Sequence, residues 1–130
     1  MKLEFVCYGD PIGKPRMTRR DKWKKRTCVV AYREWCDRLR EAAGIHRKVI
    51  LTSATVLVVK AYFGLPQSWS ARKKMGLIIK PHIQRPDCDN VLKAVADALF
   101  ENDELVFSMS CEKAWQDSNG PRIHVRVVNL

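Results

Sequence analysis

Arg85-Pro86-Asp87-Cys88-Asp89-Asn90-Val91-Leu92-Lys93-Ala94-Val95-Ala96-Asp97-Ala98-Leu99 reads as the strand-to-helix corner that decides the fold. A residue before proline is pushed toward extended backbone, so Arg85 through Asp87 reads as the end of a strand. Side chains two apart on an extended chain share a side, which aligns Asp87 with Asp89 and turns Cys88 away as a packed thiol. Asp89 or Asn90 is a good N-cap, and Val91, Leu92, Val95, Ala98 and Leu99 recur behind it at helical spacing. On that helix Asp89, Lys93 and Asp97 fall every fourth residue and share a face. Two carboxylates at such a corner, with a lysine one turn along, form a candidate site for a hard divalent cation and a phosphate.

The same residues also fit a plainer reading. Asp89 can simply cap the helix, and Lys93 with Asp89 or Asp97 can form surface pairs contributing a few tenths of a kcal/mol. A calcium loop is poorly supported, because Val91 and Leu92 stand where an EF-hand needs an oxygen ligand and a glycine. Phosphatase and glycosyltransferase Asp-x-Asp sites usually follow an apolar strand in a larger domain, which the approach Lys80-Pro81-His82-Ile83-Gln84 does not resemble. His82 has no matching histidine and suits a structural or phosphate-contacting role better than ligation.

Outward from the corner, the 130 residues suit one domain, 1–130, large enough to bury a core. Leu3, Phe5 and Cys7 alternate as a half-buried strand, broken by Gly9-Asp10-Pro11-Ile12-Gly13. Tyr32, Trp35, Cys36, Leu39 and Ala43 predict a helix from Thr27 to Ala43 with Gly44 as its stop. Ala54 to Phe63 is nearly all apolar or β-branched and predicts a central strand covered on both faces. Ser68 to Met75 predicts a short capped helix. After the corner helix, alternation through Leu105, Phe107, Met109 and Cys111, and through Ile123, Val125 and Val127, predicts two strands forming a C-terminal hairpin around Gly120-Pro121. The order predicts an α/β fold: a mixed β-sheet packed with two main helices.

Charge is the second strong signal, with 24 Lys and Arg against 14 Asp and Glu for a net +10. Lys14, Arg16, Arg19, Arg20, Lys22, Lys24, Lys25 and Arg26 stand with one acid, Asp21, so this segment supplies +7 of that surplus. Trp23 lies among them, as a planar ring that could stack on an exposed base would. Arg72, Lys73 and Lys74 add a second basic patch. Such clusters suit a polyanion, above all nucleic acid, although a solvated arm or a targeting signal has the same composition. Cys7, Cys28, Cys36, Cys88 and Cys111 are odd in number and unpaired in spacing, which reads as reduced thiols. No apolar run is long enough to span a membrane. The N-terminal Met-Lys-Leu-Glu-Phe lacks a signal peptide's apolar centre, so a cytoplasmic protein is expected.

Asp87-x-Asp89-Asn90-x-x-Lys93, then Asp97-Ala98-Leu99, then Asn102-Asp103-x-x-Val106, resembles the RusA family of Holliday-junction resolvases, common in prophages. Gly9-x-Pro11 with its Lys-Pro-Arg continuation, the Tyr32/Trp35 helix and Ser68-Trp69-Ser70 with Arg72-Lys73-Lys74 resemble it in the same order. The resemblance implies a homodimeric, Mg²⁺-dependent (or Mn²⁺-dependent) endodeoxyribonuclease that cuts four-way DNA junctions. It places the metal on Asp87, Asp89 and Asp103, and gives Lys93 the family's lysine position. Many members have Asp-Asp where this chain has Asn102-Asp103, so only Asp103 is carried over, with Asn90, Asp97 and Asn102 as supporting groups. Asp97 is expected to partner Lys93. From sequence, Asp103 either reaches Asp87 within one chain or meets a site differently. A nuclease of other branched DNA, and a non-catalytic nucleic-acid-binding phage protein, are the competing readings.

Overall fold

The computed structural model describes residues 2–22 and 26–130. The expected DNA-contacting residues Trp23, Lys24 and Lys25, and the side chain of Lys22, lie outside the described residues. Strand β1 is Lys2–Tyr8, helix α1 Thr27–Ala43, strand β2 Thr55–Phe63, helix α2 Ala71–Leu77, helix α3 Cys88–Leu99, strand β3 Val106–Trp115 and strand β4 Arg122–Asn129. Short 3-10 turns span Arg19–Lys22 and Asp103–Leu105.

The four strands form one mixed sheet in the order β1-β4-β2-β3. β2 is parallel to β3 and antiparallel to β4, and β4 is antiparallel to β1. The expected C-terminal hairpin is therefore absent: β3 and β4 are consecutive in the chain but lie on opposite sides of β2. The apolar, β-branched β2 takes an interior position with a partner on each edge, a position that suits its composition.

Both long helices pack on the sheet side, α1 against β1 and α3 against β3, and they touch each other. Thr55, Leu57, Val59, Ala61 and Phe63 of β2 are buried, whereas Val58 and Lys60 are exposed and Val56 and Tyr62 half-buried. Coverage of β2 on both faces, expected from its composition, is thus corrected to one face. The buried stripe of α1 is Val29, Tyr32, Trp35, Cys36 and Leu39, and that of α3 is Val91, Ala94, Val95, Ala96, Ala98 and Leu99. Gly44 ends α1 at φ 75°, a left-handed conformation that glycine adopts without a Cβ clash.

His82 is buried with its ring stacked on Phe63 at 3.9 Å between centroids and set edgewise to Trp115 at 4.5 Å. Among the described residues its Nδ1 has no hydrogen-bond partner. Burial, and then the nearby Lys113 ammonium, pushes its pKa below the ordinary histidine value. The folded state therefore holds His82 neutral, and the stability this gives is present above the unfolded pKa of about 6.5 and lost as pH falls below it. His82→Phe keeps the stack and removes the titrating nitrogen. Its melting temperature should fall less than the wild type's between about pH 7.5 and pH 5.5 in a calorimetric series.

Candidate functional site

The strand expected from Arg85 to Asp87 does not form; Pro81 makes an isolated bridge to Ala114, and a loop follows. The reason lies on β3. The Lys113 ammonium donates to the carbonyls of Gln84 at 2.6 Å and Pro86 at 2.7 Å, groups that a strand would have offered to a neighbour. Asp87 keeps extended backbone, φ −69° and ψ 156°, and is the N-cap in place of the expected Asp89 or Asn90. Its carbonyl accepts the N–H groups of Asn90 at 3.1 Å and Val91 at 3.0 Å. Its carboxylate makes no capping bond, so it projects from the corner with its oxygens uncommitted to the helix. Asp89 sits in the first turn, where the helix dipole favours a negative charge. Lys93 Nζ lies 3.7 Å from Asp89, with both side chains exposed. The Cys88 thiol points back to β3, donating to the Cys111 carbonyl at 3.4 Å.

The basic segment comes to this corner. The Lys14 N–H donates to the Asn90 carbonyl at 3.4 Å. Gly13 is wedged so closely that a Cβ there would lie 2.6 Å from Asn90 Nδ2 and 2.8 Å from Pro86 Cβ. Gly13, Lys14, Pro15, Arg85, Pro86, Asp87 and Asn90 line an open cleft of about 430 Å³. Lys14, Arg85 and Asp87 thus line one hollow at a helix N-terminus, with the Lys14 ammonium 3.5 Å from Asp97 farther along α3.

Asp97 does not partner Lys93, contrary to expectation. Its carboxylate accepts the Tyr32 hydroxyl of α1 at 2.5 Å, with Lys14 at 3.5 Å and Lys48 at 3.9 Å. Partial burial alone would raise its pKa, but the Tyr32 hydroxyl, Lys14 and Lys48 together outweigh that and hold it below the ordinary value. Burial, and then the bond to Asp97, pushes the Tyr32 phenol far up. Asp97 therefore ties α1, α3 and the basic loop together.

Asp103 opens the 3-10 turn after α3, at the opposite end from Asp87. Twelve residues of helix at about 1.5 Å each separate the two ends by roughly 18 Å. Among the described residues no three His, Cys, Asp or Glu side chains are gathered as a metal would need. The Asn102 amide is engaged with Leu51, accepting its N–H at 2.8 Å and donating to its carbonyl at 2.9 Å. Arg16, Arg19, Arg20, Arg72 and Lys73 are exposed and Lys74 is half-buried. Lys73 lies 4.0 Å over the Trp69 ring. Arg26 instead forms a fork onto Asp21 at 2.8 and 2.9 Å and donates to the Arg16 carbonyl, shaping the loop. Sequence reasoning missed Lys113, Lys48 and the role of Tyr32, because each acts on residues far away in the chain.

Lys113→Met should release the loop while leaving the core intact. Hydrogen exchange at the Asn90 and Val91 amides should then quicken about tenfold, about 1.4 kcal/mol, with α1 amides unchanged.

The chain is 28% identical over 138 residues to the uncharacterized protein YqaN of Bacillus subtilis (strain 168), covering 96% of this chain and 94% of that protein. Residues 9–128 match the family described as Endodeoxyribonuclease RusA. That match takes in the basic loop, the acid corner, the Tyr32–Asp97 tie and Asp103, and the chain belongs to the RusA family of endodeoxyribonucleases.

Proposed function

We propose that this chain resolves four-way (Holliday) DNA junctions as a homodimer, by metal-dependent hydrolysis of one phosphodiester per site. The observation that carries the reading is the Asp87 carboxylate at the start of α3, free of capping and lining a cleft with Lys14 and Arg85, with Asp89 two residues on beside Lys93. Carboxylate oxygens are the donors that Mg²⁺ or Mn²⁺ prefers, so Asp87 and Asp89 fit such an ion. Bound there, it would supply Lewis acidity toward a phosphoryl oxygen and lower the pKa of water. Lys93, one turn along, is placed to neutralise charge that builds on the phosphoryl oxygens. Arg16, Arg19, Arg20, Arg72, Lys73 and Lys74 supply the phosphate-binding surface, to which Lys22, Lys24 and Lys25 of the same basic segment add charge.

Asp103 is the third carboxylate, and its place beyond the far end of α3 favours delivery by a second copy. β3 is an edge strand with Phe107 and Met109 exposed. It runs from the Asp103 turn back toward the α3 start, which it holds through Cys111 and Lys113. Antiparallel pairing of two β3 edges about a two-fold axis would carry Asp103 of one copy toward the Asp87 end of the other.

Asp87→Asn and Asp103→Asn should each abolish cutting of a synthetic four-way junction in Mg²⁺ without abolishing its binding. Mixed after co-refolding, the two dead variants should regain cutting, since a mixed dimer holds one intact site. A silent mixture would place all three acids in one copy, and full cutting by both single variants would end the reading. In a separate titration, Arg19→Ala with Arg20→Ala should lower the slope of log affinity against log salt by about 1.8.

A further inference from the structure

Between α2 and the acid corner runs Ile78-Ile79-Lys80-Pro81-His82-Ile83-Gln84-Arg85, a segment that shows apolar side chains to solvent on a rigid mount. Ile83 is 89% exposed, the most exposed large apolar side chain among the described residues, and Ile79 is 63% exposed. Neither belongs to the core, and the acid site uses neither. The backbone beneath them is held at several points. Lys80 accepts the Trp115 N–H at 2.9 Å, His82 donates its N–H to Lys113 at 3.1 Å, and Lys113 grips the carbonyls of Gln84 and Pro86. The buried His82 ring, stacked on Phe63, anchors the residue next to Ile83. Ile79 is held at φ 55°, a left-handed conformation that a β-branched residue adopts only where its surroundings enforce it.

Exposed cations accompany the isoleucines: Lys80 and Arg85 within the segment, Arg72 and Lys73 on the helix before it. An apolar tip set among cations is complementary to DNA opened between base pairs, with the tip against the bases and the cations on the flanking phosphates. Ile83 stands four residues before Asp87. Four residues span at most about 14 Å, so the tip falls within a few base steps of the carboxylates. Base pairs at a branch point cost less to unstack than those of a continuous duplex, so such a tip would favour branched substrates.

We propose that Ile83 is a wedge that enters the base stack at the branch point, with Lys80 and Arg85 holding the phosphates on either side and Ile79 extending the apolar strip. The proposal rests on the junction-cutting reading and names the part of the substrate that this segment recognises. The test uses the full chain with a four-way junction carrying 2-aminopurine at the crossover. Wild-type protein should raise the fluorescence as the probe unstacks. Ile83→Ser should lose that rise and cut the junction at least tenfold more slowly in single turnover, while its affinity for linear duplex stays unchanged. Ile83→Leu should behave as wild type. Wild-type fluorescence and cutting rates in Ile83→Ser would overturn the wedge and leave the nuclease reading standing. Equal loss of duplex affinity would also overturn it, and so would loss of the dimer in sedimentation, which would make the strip a protein interface. Wild-type protein that neither binds nor cuts any branched DNA would overturn the functional reading and the wedge together.

Discussion

The Lys113 ammonium bonded to the carbonyls of Gln84 and Pro86 fixes where α3 begins, and with it where both carboxylates stand. Lys113 comes from β3, so the strand that closes the sheet also aims the corner. The opposite end of α3 is fastened in a similar way. Val49 donates its N–H to Leu99 and accepts that of Glu101, while the Asn102 amide pairs with Leu51 like a short stretch of backbone. A helix clamped at both ends and buried along one stripe holds exposed acids in fixed positions although solvent surrounds them.

The cations divide into two populations. Arg26 is forked onto Asp21, Arg122 onto Asp117 at 2.7 and 3.0 Å, and Arg40 donates to the Ala98 carbonyl. The Arg122 guanidinium and the Asn119 N–H hold the Asp117 carboxyl at about 2. These three arginines shape loops and helix ends. Arg19, Arg20, Arg72, Lys73, Lys80 and Arg85 remain exposed and lie on the segments that lead to the cleft. The surplus of positive charge is thus only partly a binding surface, a division that composition alone does not reveal.

Much of the fold is legible where one local rule acts alone. The α1 stripe through Tyr32, Trp35, Cys36 and Leu39 and its Gly44 stop follow from helical period and the glycine cap, and β1 follows from alternation. The errors arise where a distant group decides. Asp87, Asp89 and Asn90 are all good N-caps, and the choice among them falls to Lys113, far along the chain. Asp97 has the right spacing for Lys93, but Tyr32 from another helix binds it at 2.5 Å. The even positions of β2, Val56, Val58 and Tyr62, are apolar enough to imitate a strand buried on both faces. Gly120-Pro121 looks like a hairpin turn, yet it leads into a strand that pairs with β1 and β2. The acids of the candidate site are visible in sequence only as a motif, because residue type and spacing are local. Their spatial distribution is not, since it depends on how β3 lies along α3.

The length of α3 has a kinetic meaning. With two acids at one end and the third beyond the other, the proposed pairing leaves a solitary protomer holding an incomplete set of ligands. Cutting at low abundance would then grow with the square of protein concentration. An endonuclease arranged in this way stays latent while scarce and becomes competent only where two copies meet, most readily when one branched molecule has gathered both.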